Sequence, residues 1–260
     1  MIFQNNMKRI VSFSGGKDST AMLLMLIEKG VEIDEIVFAD TLFEFPELYD
    51  YIKKVEDHIG RKITILRPDP ELFKKWFYGK VTRGENKGKV RGFPLKAFPC
   101  WWMRESKWKP LTNMHKDADV VYIGIAYDEK ERMSKVDGNL KYPLVDWKIT
   151  EKDCIDYLNK KDLFNCLYVN FDRLGCWHCP KQNEKSLYIL WKNYPDLWKQ
   201  LLWWDQETFK ECGRWIRFKP LTETQKEFEG GKIPKKVPLY ECWNGCESVK
   251  KAFKDKQKHL

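Results

Sequence analysis

The segment VSFSGGKDST, residues 11–20, places two adjacent glycines among serine, lysine and aspartate side chains. Glycine lets a backbone approach a ligand closely, serine hydroxyls can donate hydrogen bonds, and Lys17 adds a positive charge. The apolar run KRIVSF precedes the segment and a helical pattern follows it, so the unpaired N–H groups of a helix start would face the same point. This combination predicts a phosphate-binding loop. Its spacing matches neither the Walker A pattern nor G-x-G-x-x-G, and the alternative is a plain serine–glycine turn.

Cysteines are the second set of residues that could do chemistry. Cys176 and Cys179 form a C-x-x-C pair directly before Pro180, and the chain has eight cysteines in all. In a reducing compartment such pairs are typical of metal ligands or redox groups rather than of structural disulfides. Thiolates suit a [4Fe-4S] cluster or a structural Zn²⁺, and ligand softness does not decide between them. Cys154 follows a Thr150 helix cap in an apolar-periodic helix, and we expect it to pack in the core.

Alternating strands and helices must position these residues. Strands are predicted from short apolar or β-branched runs at 8–13, 34–40, 61–68 and 119–129. Helices are predicted at 20–30 and from Pro46 to Gly60, the second from apolar residues at four, three and four spacing. This order predicts an α/β fold with a doubly wound, mostly parallel sheet. Ligands of such sheets bind beyond the carboxyl ends of the strands, which is where the predicted phosphate-binding loop lies.

Charge and composition bear on partners and compartment. Lysine and arginine outnumber aspartate and glutamate by 47 to 38, giving a formal net charge of +9. Such a surface suits a phosphate-bearing partner, although ordinary lysine-rich surfaces have the same balance. No apolar run is long enough to span a membrane, and the first residues, MIFQNNMKRI, lack the apolar region of a signal peptide. We therefore expect a cytoplasmic protein with no membrane partner.

The character of the sequence changes near residue 150. Residues 1–150 are predicted to form the nucleotide-binding α/β domain. Residues 151–260 contain tryptophan-rich helical patterns and the C-x-x-C pair, which predict a smaller helical, cysteine-containing C-terminal subdomain. The lysine- and glycine-rich stretch 79–93 is expected to be a mobile loop. A homodimer is one expected assembly, but the sequence does not fix the oligomeric state.

Six segments resemble a known family. SFSGGKDS resembles the S-G-G-x-D-S loop of the PP-loop ATP pyrophosphatase superfamily, and the others resemble its phosphoadenosine-phosphosulfate-reductase-like branch. FADTLFEFPE is similar to ADTGxExPE, CWWMRESKWKPL to a cysteine-led R-x-x-K-x-x-P helix, and GIAYDEKER to G-x-R-x-x-E-S-x-R. YPLVDWKITEKD and RLGCWHCP resemble P-L-x-x-W-t-e-x-D and R-x-G-C-x-x-C-P. The matches run in order over residues 8–180 and imply an adenine-nucleotide-alpha-hydrolase-like fold.

The resemblance implies roles for individual residues. The residues that would hold the phosphates of ATP or a related adenine nucleotide are Ser12, Ser14, Gly15, Gly16, Lys17, Asp18 and Ser19. Asp18 would also help to bind Mg²⁺, a hard cation that prefers oxygen ligands. Asp40 and Thr41 would face the adenosine, and Gly124 and Arg132 would lie near the nucleotide or a second substrate. Lys17, Asp18 and Arg132 are the implied catalytic residues.

Some of these roles have structural alternatives. Asp40 would serve equally to cap a loop, and Arg132 to carry a solvated surface charge. The sequence also departs from the family pattern: Ala126 replaces the usual arginine and Leu42 replaces the glycine after Thr41. These departures predict altered contacts to the anionic group of the substrate.

The resemblance also implies a metal centre, a [4Fe-4S] cluster in preference to Zn²⁺. Its ligands would be Cys100, Cys176, Cys179 and a fourth cysteine, for which Cys246 is favoured over the alternatives Cys242 and Cys166. Measured from Pro110, Cys100 lies two positions earlier than the family pattern expects. His178, between the two C-x-x-C ligands, is expected to be a spectator.

Two enzyme functions fit these features. The first is an ATP-dependent adenylating sulfurtransferase that activates an acceptor such as tRNA or DNA for thiolation; the sulfur donor is not identified by the sequence. The second is a sulfonucleotide reductase, whose catalytic cysteine would be Cys212 in KECG. That segment resembles the E-C-G-x-H tail of such reductases, but Trp215 replaces the histidine and 47 residues follow Gly213. A third alternative, a binding module without chemistry, conflicts with the intact SGGKDS segment.

Overall fold

The five strands of the described residues form one parallel sheet. The computed structural model describes residues 7–134, 138–235 and 237. The strands are β1 (Arg9–Phe13), β2 (Glu35–Ala39), β3 (Thr64–Leu66), β4 (Val120–Ile123) and β5 (Leu140–Lys141). They lie in the order β3-β2-β1-β4-β5, and each neighbouring pair is parallel. The predicted α/β fold with a parallel sheet is therefore confirmed.

The central strand β1 positions the candidate site. Ile10 of β1 pairs with Glu35 of β2 on one side and with Val121 of β4 on the other. Ile10 and Val121 are fully buried, as expected for an inner strand with both faces covered. The chain moves from β1 to β2 and β3 in one direction, whereas β4 and β5 lie on the opposite side of β1. Right-handed crossovers then put helices on both faces, and the strand order reverses next to the carboxyl end of β1.

Helices account for most of the remaining regular structure. In the described ranges they are α1 (Lys17–Glu28), α2 (Pro46–Ile59), α3 (Pro70–Phe77), α4 (Trp101–Met103), α5 (Lys109–Lys116), α6 (Pro143–Asp146), α7 (Glu151–Lys160), α8 (Leu167–Asn170), α9 (Glu184–Asn193), α10 (Pro195–Cys212) and α11 (Leu221–Glu229). A π-helix spans Arg104–Trp108 and a 3₁₀ helix spans Tyr127–Arg132. None of the helices in the described ranges is long and apolar enough to cross a membrane.

Local signals set several helix boundaries. Pro46 occupies the first turn of α2, and Gly60 ends it in the left-handed conformation with φ 66°. Thr150 and Asp153 form a reciprocal capping box at the start of α7. Strand β4 ends at Ile123, earlier than the sequence pattern suggests, because Gly124 and the 3₁₀ helix follow it.

Contacts divide the chain into two compact units that are each discontinuous in sequence. The first comprises residues 1–68 and 103–165, and the second comprises residues 69–102 and 166–260. The first unit contains the whole sheet together with α7, and the second contains α3 and α8–α11. This partition follows packing rather than sequence order; a functional division near residue 150 stays a prediction.

Candidate functional site

The first candidate site lies where β1 runs into α1. Gly15 adopts φ 70°, in the left-handed region that favours glycine. A Cβ at Gly15 would lie 2.6 Å from Cδ1 of Leu48, so the α2 side chain packs directly against the loop backbone. Asn165, fully buried, donates from Nδ2 to the carbonyl oxygen of Gly15 at 3.1 Å. The bare backbone predicted from the two glycines is thus fixed in place by two neighbouring segments.

Hydroxyl groups hold the loop against the first turn of α1. The Oγ atoms of Ser14 and Ser19 are 2.9 Å apart, and the N–H of Ser14 donates to Ser19 Oγ at 3.1 Å. The hydroxyl of Ser19 donates to the carbonyl oxygen of Gly16 at 3.0 Å. The first N–H groups of an α-helix have no partner within the helix and carry the positive end of its dipole. The loop therefore presents donors suited to an anionic group at the carboxyl end of β1.

Charged side chains gather beside this loop. Lys17 Nζ donates to both carboxylate oxygens of Asp18, at 2.9 and 3.1 Å, and also to Glu151. Within the described ranges, Asp18, Glu129 and Glu151 are the three metal-binding side chains whose ligand atoms lie within 4.8 Å of one another. Carboxylate oxygens are the ligands that Mg²⁺ prefers. The group offers three carboxylate ligands to a magnesium ion, although Lys17 now pairs with two of them.

The environment of Asp18 favours a nearby cation. Burial raises the pKa of the Asp18 carboxyl group, and this effect outweighs the opposing attraction of Lys17. The neighbouring carboxylates Glu151 and Glu129 raise it further. A divalent cation in the group would offset both the burial and the repulsion. Burial also raises the pKa of the Cys154 thiol, so Cys154 is a neutral, fully buried group beside this site, as the helix pattern predicts.

Gly124 lies where β4 approaches the start of α1. A Cβ at this position would lie 2.6 Å from Cα and 2.8 Å from the backbone nitrogen of Ser19. Both atoms are backbone, so no side-chain rotation could relieve the contact. Glycine is needed here for the close approach of two backbones. Ser19 lies in the first turn of α1, directly after the loop, and the implied place of Gly124 near the nucleotide stays a prediction.

We expect Gly124→Ala to lower the free energy of unfolding by about 1–3 kcal/mol, because overpacking must displace the start of α1. Urea denaturation would measure the change. Gly138→Ala is a matched control in the same unit, since no atom lies within 4 Å of its Cβ position. An unchanged free energy of unfolding in Gly124→Ala would contradict the close approach.

The segment after β2 is held by its own side chains. Asp40 is fully buried; it accepts hydrogen bonds from the N–H of Leu42 at 2.7 Å, from the Tyr49 hydroxyl at 2.9 Å and from Arg67 Nε at 2.8 Å. The Thr41 hydroxyl donates to Glu44 at 2.7 Å. Both side chains therefore stabilise the loop, and their contact with adenosine stays a prediction. Leu42 adopts φ 67°, a conformation that favours the glycine which the family pattern has there.

Arg132 lies at the end of the 3₁₀ helix and pairs with Glu129. Its side chain is 59% exposed, so the guanidinium group remains accessible to a ligand. Because Glu129 belongs to the carboxylate group around Asp18, Arg132 is linked to that group through one ion pair. A role for Arg132 in catalysis stays a prediction.

Three of the four predicted metal ligands lie in the second unit. Cys100, Cys176 and Cys179 are each half-buried, whereas Cys246, like the alternative Cys242, lies outside the described residues. The N–H of Cys179 donates to the carbonyl oxygen of Cys176 at 3.0 Å, which closes the C-x-x-C turn. In the described part of the chain these three thiols do not form a group within 4.8 Å of one another. Their donor chemistry fits a thiolate-bound metal centre, with cluster and Zn²⁺ both open.

Neighbouring side chains stabilise the C-x-x-C turn. Gln182 Nε2 donates to the carbonyl oxygens of Cys176 and Trp177, at 3.2 and 2.9 Å. Arg217 donates to the carbonyl oxygens of Pro180 and Gln182, at 2.9 and 2.7 Å, and burial lowers the pKa of its guanidinium group. Gln182 and Arg217 therefore fix the backbone of the turn and of the residues that follow it.

His178 is buried among aromatic rings rather than directed at a ligand position. Its ring centroid lies 4.9 Å from that of Phe93 in an edge-on arrangement. Burial lowers the pKa of the imidazole to about 3, so His178 is neutral at neutral pH. This environment agrees with the expectation that His178 is a spectator.

Sequence reasoning missed Glu129, Glu151 and Asn165. Glu129 and Glu151 stand inside two of the quoted segments, GIAYDEKER and YPLVDWKITEKD, so a signal was present. Residues at the end of one strand and the start of a later helix can converge on the switch point of the sheet. Asn165 had no comparable signal.

Comparison with known proteins supports the family resemblance of the six sequence segments. The model of the phosphoadenosine phosphosulfate reductase domain matches residues 8–182. An uncharacterized protein of Methanocaldococcus jannaschii is 30% identical to this chain. The alignment covers 74% of this chain but 40% of the length of that protein. An adenosine 5′-phosphosulfate reductase of Staphylococcus haemolyticus is 27% identical over 71% of the chain and 76% of its own length. A solved phosphoadenylyl-sulfate reductase of Candida auris aligns with a TM-score of 0.46 and 17% identity, over 67% of this chain and 84% of its own.

Proposed function

The chain belongs to the phosphoadenosine phosphosulfate reductase domain family, and from this premise we propose that it is an ATP-dependent adenylating sulfurtransferase. In the proposed reaction an oxygen of the acceptor attacks the α-phosphate of ATP, and the bond to the leaving pyrophosphate breaks. A sulfur nucleophile then displaces AMP from the activated acceptor. Both steps balance without an oxidant or reductant, provided that the donor supplies sulfur at the sulfide level.

The observation that carries this proposal is the position of Cys212. Cys212 is the last residue of α10, and its thiol donates to the carbonyl oxygen of Thr208 at 3.0 Å. A Cβ at Gly92 would lie 2.9 Å from Cys212 Sγ, so the thiol packs against another segment of the same unit. A reductase of this family needs a cysteine that reaches the substrate sulfur and holds it covalently. A helix-borne, packed thiol is poorly suited to that movement.

The loop residues supply the chemistry of the first step. Ser14, Gly15, Gly16 and Ser19 would hold the phosphates through backbone N–H and hydroxyl donors, and Ser12 stands at the end of β1 beside them. Preorganised donors stabilise charge that develops on the phosphoryl oxygens during attack. Lys17, now paired with carboxylates, would exchange one of them for a phosphate oxygen.

Two metal groups fit these residues. Asp18, with Glu129 and Glu151, would hold Mg²⁺, which neutralises phosphate charge when bound. Cys100, Cys176 and Cys179, with Cys246 as the favoured fourth ligand, would hold a [4Fe-4S] cluster that handles sulfur when bound, or Zn²⁺ as the alternative. The side chains of this chain bind and orient these groups.

A nucleic acid, such as tRNA or DNA, is the proposed acceptor. The formal charge of +9 suits a polyanion, and charge of this kind steers association with phosphate backbones. Any donor that supplies sulfur at the sulfide level would serve the second step, and a homodimer stays a prediction. A soluble cytoplasmic location remains part of the proposal.

A sulfonucleotide reductase is the second candidate. The similarity to an adenosine 5′-phosphosulfate reductase and the segment KECG around Cys212 favour it. In that reaction the thiolate of Cys212 would attack the substrate sulfur, release the nucleotide and hold the sulfur until thioredoxin or a dithiol releases sulfite.

Replacement of Cys212 separates the two candidates. We expect Cys212→Ser to change ATP-dependent pyrophosphate release in the presence of acceptor by less than twofold, because the proposed adenylation does not use this thiol. Pyrophosphate would be measured with Mg·ATP and bulk tRNA or single-stranded DNA. In parallel, wild-type protein would be incubated with adenylyl sulfate or its 3′-phosphorylated form, thioredoxin and dithiothreitol. Sulfite release that disappears in Cys212→Ser would reject the sulfurtransferase and establish the reductase.

A further inference from the structure

Residues 79–92 form a short antiparallel hairpin, which we call the basic hairpin. Lys80 and Val90 form a β-bridge, and the N–H of Val81 donates to the carbonyl oxygen of Lys89 at 2.9 Å. At its base the N–H of Arg91 donates to the carbonyl oxygen of Gly79 at 2.8 Å. The stretch expected from sequence to be a mobile loop thus has a defined backbone structure.

The basic hairpin carries a dense positive charge. Its cations are Lys80, Arg83, Lys87, Lys89 and Arg91, against the single carboxylate of Glu85. Lys80, Arg83, Lys87 and Lys89 are exposed. Across residues 7–134 and 138–235, Lys80, Arg83 and Lys87 are in no ion pair with a carboxylate, so their charge faces solvent. The hairpin thus has a net charge of four positive units over fourteen residues, which attracts polyanions.

Aromatic side chains flank the basic hairpin. The guanidinium carbon of Arg91 lies 4.3 Å from the ring centroid of Trp76, and Trp76 stacks on Trp101 with centroids 6.1 Å apart and planes inclined by 18°. Tyr78, directly before the hairpin, is 46% exposed. Arg91 and Trp101 thus contact Trp76 and hold the base of the hairpin, and Tyr78 is the exposed ring beside it.

The end of α10 contributes a second aromatic surface to the same unit. Phe209 and Trp215 stack with centroids 4.0 Å apart and planes inclined by 9°, and Phe209 is 45% exposed. The hairpin base touches this end of α10, because a Cβ at Gly92 would lie 3.0 Å from Thr208 Cγ2. The carboxylates Glu207 and Glu211 lie nearby, and Lys210 forms ion pairs with both. Two carboxylates and one lysine leave one negative charge at this end of α10, which offsets only one of the four net positive charges of the hairpin.

We infer that the basic hairpin, together with Tyr78 and the Phe209–Trp215 stack, binds single-stranded nucleic acid. The cations would contact phosphates, and the exposed rings would stack on unpaired bases, the combination by which proteins bind single strands without sequence readout. A duplex offers the same phosphates but keeps its bases stacked on each other, so it would use only the charges. The inference deepens the proposed function, on which it rests, by locating the surface that receives the acceptor.

Fluorescence anisotropy with labelled 15-nucleotide oligo(dT), oligo(U) and a 15-base-pair DNA duplex tests this surface. We expect the wild type to prefer either single strand to the duplex, with affinity that falls linearly with the logarithm of salt concentration. In the triple variant Arg83→Gln, Lys87→Gln, Lys89→Gln, the slope of log affinity against log salt concentration for single strands should become smaller by about 2. Each lost phosphate contact removes about 0.7 from the slope. At 0.2 M salt this corresponds to a roughly 30-fold loss of affinity. Phe209→Ala should lower affinity about tenfold while keeping the slope.

A charge-matched variant controls for net charge. Lys53→Gln, Lys54→Gln, Lys62→Gln removes three exposed lysines from the first unit, and we expect it to keep the wild-type slope. An unchanged slope in the hairpin variant, equal affinity for the duplex, or no binding at 20 mM salt would each overturn the inference. Calorimetric binding of Mg·ATP is measured in the same preparations. Retained nucleotide binding with an unchanged hairpin slope rejects this surface alone, whereas absent nucleotide binding rejects the proposed function.

Discussion

The double variant Ser14→Ala, Asp18→Ala is expected to bind Mg·ATP at least about 100-fold more weakly than the wild type. Ser14 loses a hydroxyl that both accepts from the N–H of Gly16, at 3.3 Å, and contacts Ser19 Oγ. Asp18 loses one of three clustered carboxylates that would hold Mg²⁺. Interactions with charged groups are worth about 1.5–3 kcal/mol each, so the loss of two exceeds the roughly 2.8 kcal/mol to which a 100-fold change in affinity corresponds. Isothermal titration calorimetry with Mg·ATP would measure the change.

A loss of binding must be separated from a loss of folding. Asp57→Ala is the matched control: it removes one carboxylate from the exposed side of α2, where Asp57 pairs with Lys53 across one helical turn. Urea denaturation of each variant would show whether the fold is intact. Wild-type affinity in a folded double variant would reject the loop as the nucleotide site.

Local sequence was sufficient to predict the loop and most of the sheet. Ser14, Gly15 and Gly16 are contiguous, and their position depends only on a strand ending at Phe13 and a helix beginning at Lys17. Those two elements have strong signals, because β1 is a short β-branched run and α1 is apolar over most of its surface. The left-handed conformation of Gly15 follows from the same local chemistry.

The carboxylate group around Asp18 depended on long-range geometry. Glu129 follows β4 and Glu151 begins α7, so their meeting with Asp18 requires β4 to pair with β1 and α7 to pack near α1. Strand pairing is not encoded in any single segment, and charged residues in helix starts are usually caps. Glu151 was therefore interpreted as part of the helix start of α7, and its place in the carboxylate group was not predicted.

The division into units was also beyond local reasoning. Residues 69–102 fall in the middle of the first half of the chain, yet they pack with the C-terminal segment. Phe73, at the centre of this packing, has its ring centroid 5.1 Å from that of Trp204, and Phe93 lies 5.7 Å from Trp204. An aromatic residue in the sequence does not indicate which residues it packs against, because any large apolar surface can bury its ring. The consequence for function is that Cys100 shares a unit with Cys176 and Cys179 despite the distance in sequence.

Cys176→Ala and Cys179→Ala are each expected to remove most of the bound metal. Each variant would delete one ligand of the proposed metal centre, whose C-x-x-C turn is closed by the hydrogen bond from the Cys179 N–H to the Cys176 carbonyl oxygen. Metal binding and local folding are coupled, so the loss of one ligand should weaken metal affinity by much more than the contribution of a single metal–sulfur bond. Iron and zinc contents after anaerobic purification, with an ultraviolet–visible spectrum, would measure the loss.

Cys154→Ala serves as the thiol control, because Cys154 is fully buried in the other unit beside Asp18 and should leave metal content unchanged. Full metal occupancy in either C-x-x-C variant would rule the pair out as ligands. The wild-type spectrum then decides between the two metals: stoichiometric iron with broad visible absorption indicates the cluster, and zinc without such absorption indicates a structural site. Cys176 and Cys179 offer the same kind of ligand to either metal, so the identity of the metal has to come from elemental content together with the spectrum.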